Sequence, residues 1–171
     1  NTVDFADSFS KEHSSILDIT VLSNPVNLGY GGNQKLGIRY AIINKFDVLA
    51  LIHGDGQYAP EYLPELVLPL FVHCYDAVLG SRMMTKWGAL RGGMPFYKFV
   101  GNHILTCFQN WMMETKYSEF HSGYRIYNVD ALQRVPFDLN SNGFIFDTEL
   151  CYQLLAYKSR IHELPVPTFY G

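Results

Sequence analysis

An apolar run near the middle of the chain stops on His53-Gly54-Asp55-Gly56-Gln57. A carboxylate between two glycines can coordinate a divalent cation while leaving room for a bulky ligand, or it can simply cap its own turn. Gln57 can supplement Asp55 directly or through water. Hard cations prefer oxygen, so His53 is better suited to hydrogen bonding or packing against a ligand than to ligating a metal. A second cluster, Glu119-Phe120-His121-Ser122-Gly123-Tyr124-Arg125, sets an acid and a histidine two residues apart. In an extended segment these share a face. Either can accept a proton from an attacking hydroxyl, and Glu119 can equally be structural. Arg82 and Arg125 can each fork onto phosphate or carboxylate oxygens, or form an ordinary salt bridge.

A third cluster is NLGYGG, residues 27–32. Gly29, Gly31 and Gly32 lack the spacing of a dinucleotide fingerprint, and no P-loop lysine-serine pair follows them. A glycine-rich turn opening onto a helix still brings the N–H groups of Gly31 and Gly32 close to a diphosphate, unless it is a tight packing turn. A hydrolase triad is poorly supported, because no GxSxG is present and the serines have no diagnostic surroundings.

The elements that must position these clusters follow from periodicity. Residues 1–12 have apolar steps of three and four, which predict a helix. ILDITVLS (16–23) predicts a short strand ended by Asn24-Pro25. After the glycines, LGIRYAIINKF predicts a mostly buried helix. DVLALIH (47–53) is a near-continuous apolar strand of the kind covered on both faces. Pro60-Glu61 opens a helix to about Val72, and DAVLGS (76–81) is the next strand. Residues 81–95 break the periodicity and form a loop; Tyr97 to Met113 have helical steps. SGYRIYNVDALQRV predicts a strand turning into a brief helix, and a further helix starts at Asp147 as N-cap, with Glu149 an ordinary helix acid. IHELPVP closes as an edge strand because of its prolines. Strand and helix alternate, which implies a mainly parallel α/β domain with right-handed crossovers. In such sheets ligands bind beyond the carboxyl ends of strands, where NPVNLGYGG, HGDGQY and GSRMM all fall.

Composition sets the outer limits. The 171 residues are 48% hydrophobic, 15% aromatic and 17% charged, with a formal charge of −3. That suits one folded domain and excludes a disordered chain or a basic nucleic-acid binder. Arg82, Lys86 and Arg91 remain a local cluster able to bind a phosphorylated small molecule. Cys74, Cys107 and Cys151 are widely spaced, without a CxxC pair, and read as thiols of a reducing compartment. No apolar run reaches the roughly 18 residues of a membrane span, and the first residues are not a signal sequence.

Four blocks in order, NLGYGGNQKLG (27–37), DVLALIHGDGQYAPE (47–61), DAVLGSR (76–82) and SEFHSGYRIYNVDAL (118–132), give the chain a close resemblance to the inverting family-2 glycosyltransferases of the GT-A fold. The likeness is greatest to the branch of dolichyl-phosphate mannose synthases and bacterial polyprenyl-phosphate glycosyltransferases. The resemblance implies an α/β fold, a mostly parallel nucleotide-sugar-binding sheet flanked by helices. It also implies that residues 1–171 are a fragment of the catalytic domain lacking its first strand and acidic turn, with Asn1-Thr2-Val3 as the continuation of that turn. In the family's Asp-x-Asp-x-Gln turn, the second acid and the glutamine fall on Asp55 and Gln57, expected to hold Mg²⁺ or Mn²⁺ and the donor diphosphate. His53 stands where the first aspartate would, one carboxylate fewer.

Gly80-Ser81-Arg82 matches a further motif, placing Arg82 in the donor site with Gly31, Gly32, His53, Asp55 and Gln57. The family's Asp-x-x-Ser-Gly-Phe-Arg matches Glu119, Ser122, Gly123, Tyr124 and Arg125, with glutamate and tyrosine as departures. Glu119 is then the base for a hydroxyl acceptor, His121 the weaker choice, and Arg125 a group near phosphates; a polyprenyl phosphate would need no base. The implied function is transfer of a sugar from a UDP- or GDP-linked donor to a polyprenyl-phosphate or saccharide acceptor, in cell-envelope or glycan biosynthesis. The implied setting is the cytoplasm, at the inner face of the membrane, with peripheral membrane association of the full-length protein. The competing expectations are a nucleotidyltransferase and a catalytically silent nucleotide-sugar-binding domain.

Overall fold

A sheet whose two faces are both apolar needs helices on both sides, and the alternation of side chains along each strand dictates which residues meet them. The computed structural model describes residues 2–85 and 87–169; Lys86 of the basic cluster lies outside the described residues. Strands β1 (Val48–Leu51), β2 (Ala77–Ser81), β3 (Arg125–Asn128) and β4 (Ile161–Pro165) form one sheet in the order β1-β3-β2-β4. β3 runs antiparallel to both β1 and β2, and β4 is parallel to β2. Three of the four strands share one direction, and β3, inserted against it, makes two of the three ladders antiparallel, so the sheet is mixed. β4 lies at the edge, where its proline costs no central ladder bond.

Seven α-helices accompany the strands among the described residues: α1 (Thr2–His13), α2 (Gly29–Ile43), α3 (Leu63–Val72), α4 (Gly88–Arg91), α5 (Phe96–Met113), α6 (Val129–Gln133) and α7 (Phe146–Ala156). One face of the sheet carries Ala77 and Tyr127, which pack with Ile38 of α2, Leu132 of α6 and Phe146, Leu150 and Leu154 of α7. The other face carries Val78 and Ile126, packed with Leu66 and Leu70 of α3 and with Tyr58, Tyr124 and Val166. The α/β layering expected from the sequence is therefore present.

Some boundaries differ from expectation, each for a tertiary reason. Residues 17–24 form no strand: among the described residues they find no ladder partner, and Leu17 and Leu22 stay exposed. Branched residues favour an extended chain, but a strand needs a neighbour's N–H and C=O groups. The glycines of 29–32 lie inside the first turn of α2 instead of preceding it. Residues 82–95 contain the short α4. Asp147 sits within the first turn of α7, and the N-cap position belongs to Ile145.

Ile126, fully buried on the central strand β3, gives a test of this layering. Ile126→Ala is expected to lower unfolding stability by about 2–5 kcal/mol in urea titrations followed by circular dichroism. A loss under about 1 kcal/mol would contradict a tightly packed layer at this point.

Candidate functional site

β1 ends at Leu51 and the chain turns through 53–57. Asp55 is exposed, and its Oδ1 accepts the N–H of Gln57 at 3.0 Å, closing a local turn. Gly56 adopts φ +74°, a left-handed conformation that suits glycine. The turn is tied to residues 122–123 from below: Gly123 N donates to Tyr58 Oη at 2.8 Å. The imidazole of His53 lies so close to Gly123 that a Cβ there would come within 2.2 Å of its Cε1. Glycine is needed at 123 because the ring fills that space.

His53 is held by more than packing. Tyr30, at the start of α2, donates its hydroxyl proton to Asp147 Oδ2 at 2.6 Å and meets His53 Nε2 at 2.9 Å. Burial, with Asp147 beside it, raises the Tyr30 pKa, so the hydroxyl keeps its proton. A phenol has one proton; with that proton on Asp147, Nε2 of His53 must donate in the other bond. In the neutral ring, Nδ1 is left as the acceptor. Three elements, the end of β1, the start of α2 and the start of α7, therefore fix one tautomer. Neither Tyr30 nor this role of Asp147 was read from sequence; an aromatic residue between glycines was the available signal.

Gly31 and Gly32 are buried under the loop before α7. The Gly31 N–H donates to the carbonyl of Asn142 at 2.8 Å, and a Cβ on Gly31 would meet the Ser141 carbonyl oxygen at 2.4 Å. Of the two readings left open by the sequence, these contacts are those of a tight packing turn.

Arg125 is buried to 1% exposure. Its Nε donates to the carbonyl of Ser122 at 2.7 Å, Nη2 to that of Phe120 at 2.6 Å and Nη1 to that of Asp147 at 3.1 Å. Burial works against its charge, but Tyr127 and Asp147 more than compensate and raise its pKa. The geometry makes Arg125 a clasp between the 120–122 turn and α7, with its fork facing carbonyls instead of a cavity.

Glu119 is likewise 1% exposed. Its Oε2 accepts the backbone N–H of Arg82 at 2.9 Å, and its Oε1 accepts Arg82 Nε at 2.9 Å, a very short bond from Arg82 Nη2, and Asn102 Nδ2 at 2.7 Å. Arg82 Nη2 also donates to the carbonyl of His121 at 3.0 Å. A second acid supports this turn: Glu163 on β4 accepts the N–H groups of Ser118 and Glu119 at 2.8 and 3.1 Å. Burial raises the Glu163 pKa, against those hydrogen bonds. The carboxylate of Glu119 thus acts first as a clamp on Arg82. His121 is exposed on one side and crowded on the other; that partial desolvation lowers its pKa, with Glu119 opposing, which favours the neutral imidazole.

Three cavities surround these groups. One of about 540 Å³ lies between β1 and α2 and takes in Tyr30, Gln34, His53 and Asp55. A second of about 480 Å³ is lined by Gln57, Arg82, Lys98, Asn102 and His121. A smaller one of about 250 Å³ shares Tyr30 and His53 with the first and His121 with the second. Asp55 lines the first of these cavities and Gln57 the second. Among the described residues no group of three or more His, Cys, Asp or Glu side chains forms a ready metal cage.

The tautomer assignment is testable by nitrogen NMR of the histidine rings. The unmodified chain should show His53 protonated on Nε2 and unprotonated on Nδ1, and Tyr30→Phe should give a mixture of both tautomers. An unchanged pattern in the variant would show that Tyr30 does not set it.

Residues 1–135 match the family described as glycosyl transferase family 2. The chain is 28% identical over 166 residues to an undecaprenyl-phosphate mannosyltransferase of Micrococcus luteus. It is 30% identical over 152 residues to the low-salt glycan biosynthesis hexosyltransferase Agl6 of Haloferax volcanii. It is 26% identical over 153 residues to a UDP-N-acetylglucosamine–dolichyl-phosphate N-acetylglucosaminyltransferase of Methanococcus voltae. The three alignments take in 96%, 85% and 89% of this chain but 65%, 34% and 60% of the relatives, so it spans less than two thirds of each. The matched segment holds both the 53–57 turn and the Glu119–Arg125 cluster, and on that match the chain belongs to glycosyl transferase family 2.

Proposed function

We propose that this chain is the catalytic part of an inverting glycosyltransferase that moves a sugar from a UDP- or GDP-linked donor to a polyprenyl phosphate. The observation that carries the choice of acceptor is the state of Glu119. Its carboxylate is fully engaged by Arg82 and Asn102, and the described residues lining the adjacent 480 Å³ cavity include Arg82, Lys98 and His121 but no acid. A hydroxyl acceptor needs a base to take its proton; an ionised phosphate does not. A cavity with cationic and neutral donors and no free carboxylate suits the second kind. The relatives named for undecaprenyl-phosphate and dolichyl-phosphate acceptors support the same reading.

In this reading the donor lies in the cavity between β1 and α2, with its diphosphate near the 53–57 turn. The acceptor phosphate oxygen forms the new bond to the anomeric carbon from the opposite face. The bond from that carbon to the donor diphosphate breaks, its electron pair leaves with the nucleoside diphosphate, and no proton has to move. Arg82, held rigid by Glu119, counters negative charge at the reacting phosphates without reorganising. His53, held as donor to Tyr30, offers Nδ1 as an acceptor where a carboxylate would otherwise stand.

The residues fit a divalent cation of limited kind. Asp55 is an exposed carboxylate on the rim of the donor cavity, which suits Mg²⁺ or Mn²⁺ arriving on the donor diphosphate better than a metal held by protein alone. Such an ion, when bound, neutralises charge on the departing diphosphate. Asp55 would hold it; Gln57, lining the other cavity, would contact the acceptor side.

In the full-length protein, Asp55→Ala should lower donor turnover on the order of 10²-fold at limiting metal, measured by product formation; unchanged turnover sinks its role. Glu119→Gln separates clamp from base. A clamp predicts a raised KM for polyprenyl phosphate with the pH profile of kcat kept; a base predicts loss of the ascending limb. Calorimetry showing donor binding with no transfer to any acceptor would favour a silent binding domain.

A further inference from the structure

Among the described residues, three side chains border both the cavity of about 540 Å³ and the smaller one of about 250 Å³: Tyr30, His53 and Phe144. All three carry rings. The Tyr30 ring lies against Phe144 with centroids 5.2 Å apart and planes 29° from parallel, and it meets His53 edge-on at 5.6 Å. Phe144 is nevertheless 85% exposed, so packing within the protein does not account for it. The segment that carries it is held tightly. Lys35 Nζ donates to Asn142 Oδ1 at 2.8 Å, the Ser141 N–H to Glu149 Oε2 at 2.7 Å and the Gly143 N–H to Ser141 Oγ at 2.9 Å. With the Gly31 N–H on the Asn142 carbonyl, these bonds fix where the ring stands. A rigid turn thus presents an aromatic ring that the core does not use.

We propose that Phe144 binds the donor sugar, its open ring face packing on the pyranose ring that is transferred. The inference rests on the glycosyltransfer reading above and names a group of this chain that the sugar touches. In that reaction the anomeric carbon lies between the leaving diphosphate and the attacking acceptor oxygen. The sugar therefore belongs where the donor cavity opens toward the acceptor cavity. The 250 Å³ space is that passage, since it shares Tyr30, His53 and Phe144 with the first and His121 with the second. Its described lining residues include no lysine or arginine, which suits an uncharged ring better than a phosphate. A pyranose has C–H groups on its faces and hydroxyls around its rim. The C–H groups, made electron-poor by neighbouring oxygens, are attracted to the negative face of an aromatic ring. The rim needs hydrogen-bond partners, and one is at hand. Asp147 lines the same passage, and its Oδ1 is shielded from solvent with no partner among the described residues. A sugar hydroxyl donating to that oxygen would satisfy it.

The test uses the full-length protein and sets each nucleotide sugar against its sugar-free nucleotide by calorimetry with Mg²⁺ present. UDP-glucose and UDP-N-acetylglucosamine are paired with UDP, and GDP-mannose with GDP. Phe144→Ala should weaken binding of the nucleotide sugar on the order of tenfold and leave that of its nucleoside diphosphate unchanged. Phe144→Tyr should keep the affinity, and Phe144→Leu should not, because a branched alkyl group has no ring face. Phe144 is exposed, so its replacement leaves the core intact, and circular dichroism checks that each variant is folded. An unchanged affinity for the nucleotide sugar in Phe144→Ala overturns the inference, as does full affinity in Phe144→Leu. Equal weakening of the nucleoside diphosphate also overturns it, by placing the ring on the base or in the structure of the turn. Failure of the unmodified protein to bind any of the three nucleotide sugars overturns the donor reading and this contact with it. Binding that Phe144→Ala leaves intact overturns the contact alone.

Discussion

One buried guanidinium governs the geometry of this protein. Arg125 opens β3, the strand that reverses direction between β1 and β2, and its side chain reaches the carbonyls of Phe120, Ser122 and Asp147. A buried charge without hydrogen bonds is very costly, so the chain must keep those carbonyls in place. That requirement fixes the turn carrying Glu119 and His121 against the first turn of α7. It also fixes Asp147, and through Tyr30 the ring of His53. The sheet's inserted strand and the polar turns at its end are therefore one construction.

A second constraint divides the two sides of the site. The 53–57 turn is anchored by Tyr58 to Gly123 and closed on itself by Asp55 and Gln57. Asp55 lines the cavity under α2, and Gln57 lines the cavity under α5. A transfer reaction needs two ligands to meet at one atom while staying distinguishable. A short rigid turn with a different polar group on each side meets that need, and the small cavity shared by His53 and His121 lies between them.

His53 is also recast by its surroundings. In sequence it is a carboxylate missing from an acidic pair. In the fold it is a histidine with a hydrogen-bond partner, a matching glycine beneath it and a fixed tautomer. An imidazole oriented in this way offers Nδ1 as a hydrogen-bond acceptor where a carboxylate would otherwise stand. On the proposed reading, the charge near the donor diphosphate would then rest on Asp55, Arg82 and any cation bound with the donor.

Local chemistry was legible in the sequence. Apolar runs gave the strands β1, β2 and β3, helical steps gave α1 and α5, the Pro60-Glu61 start gave α3, and prolines placed β4 at an edge, because these depend on near neighbours in the chain. The candidate polar clusters at strand ends were legible for the same reason. What the tertiary structure decided was partnership. Residues 17–24 have strand-forming side chains but no ladder, because pairing belongs to two segments. The acid at 119 could be read as a base or as structural, and only the fold brings Arg82, 37 residues away, onto its carboxylate. Asp147 read as a helix cap until Tyr30, 117 residues away, claimed it. Burial and hydrogen bonding across such separations set which charges are free to act, and no periodicity within the chain encodes them.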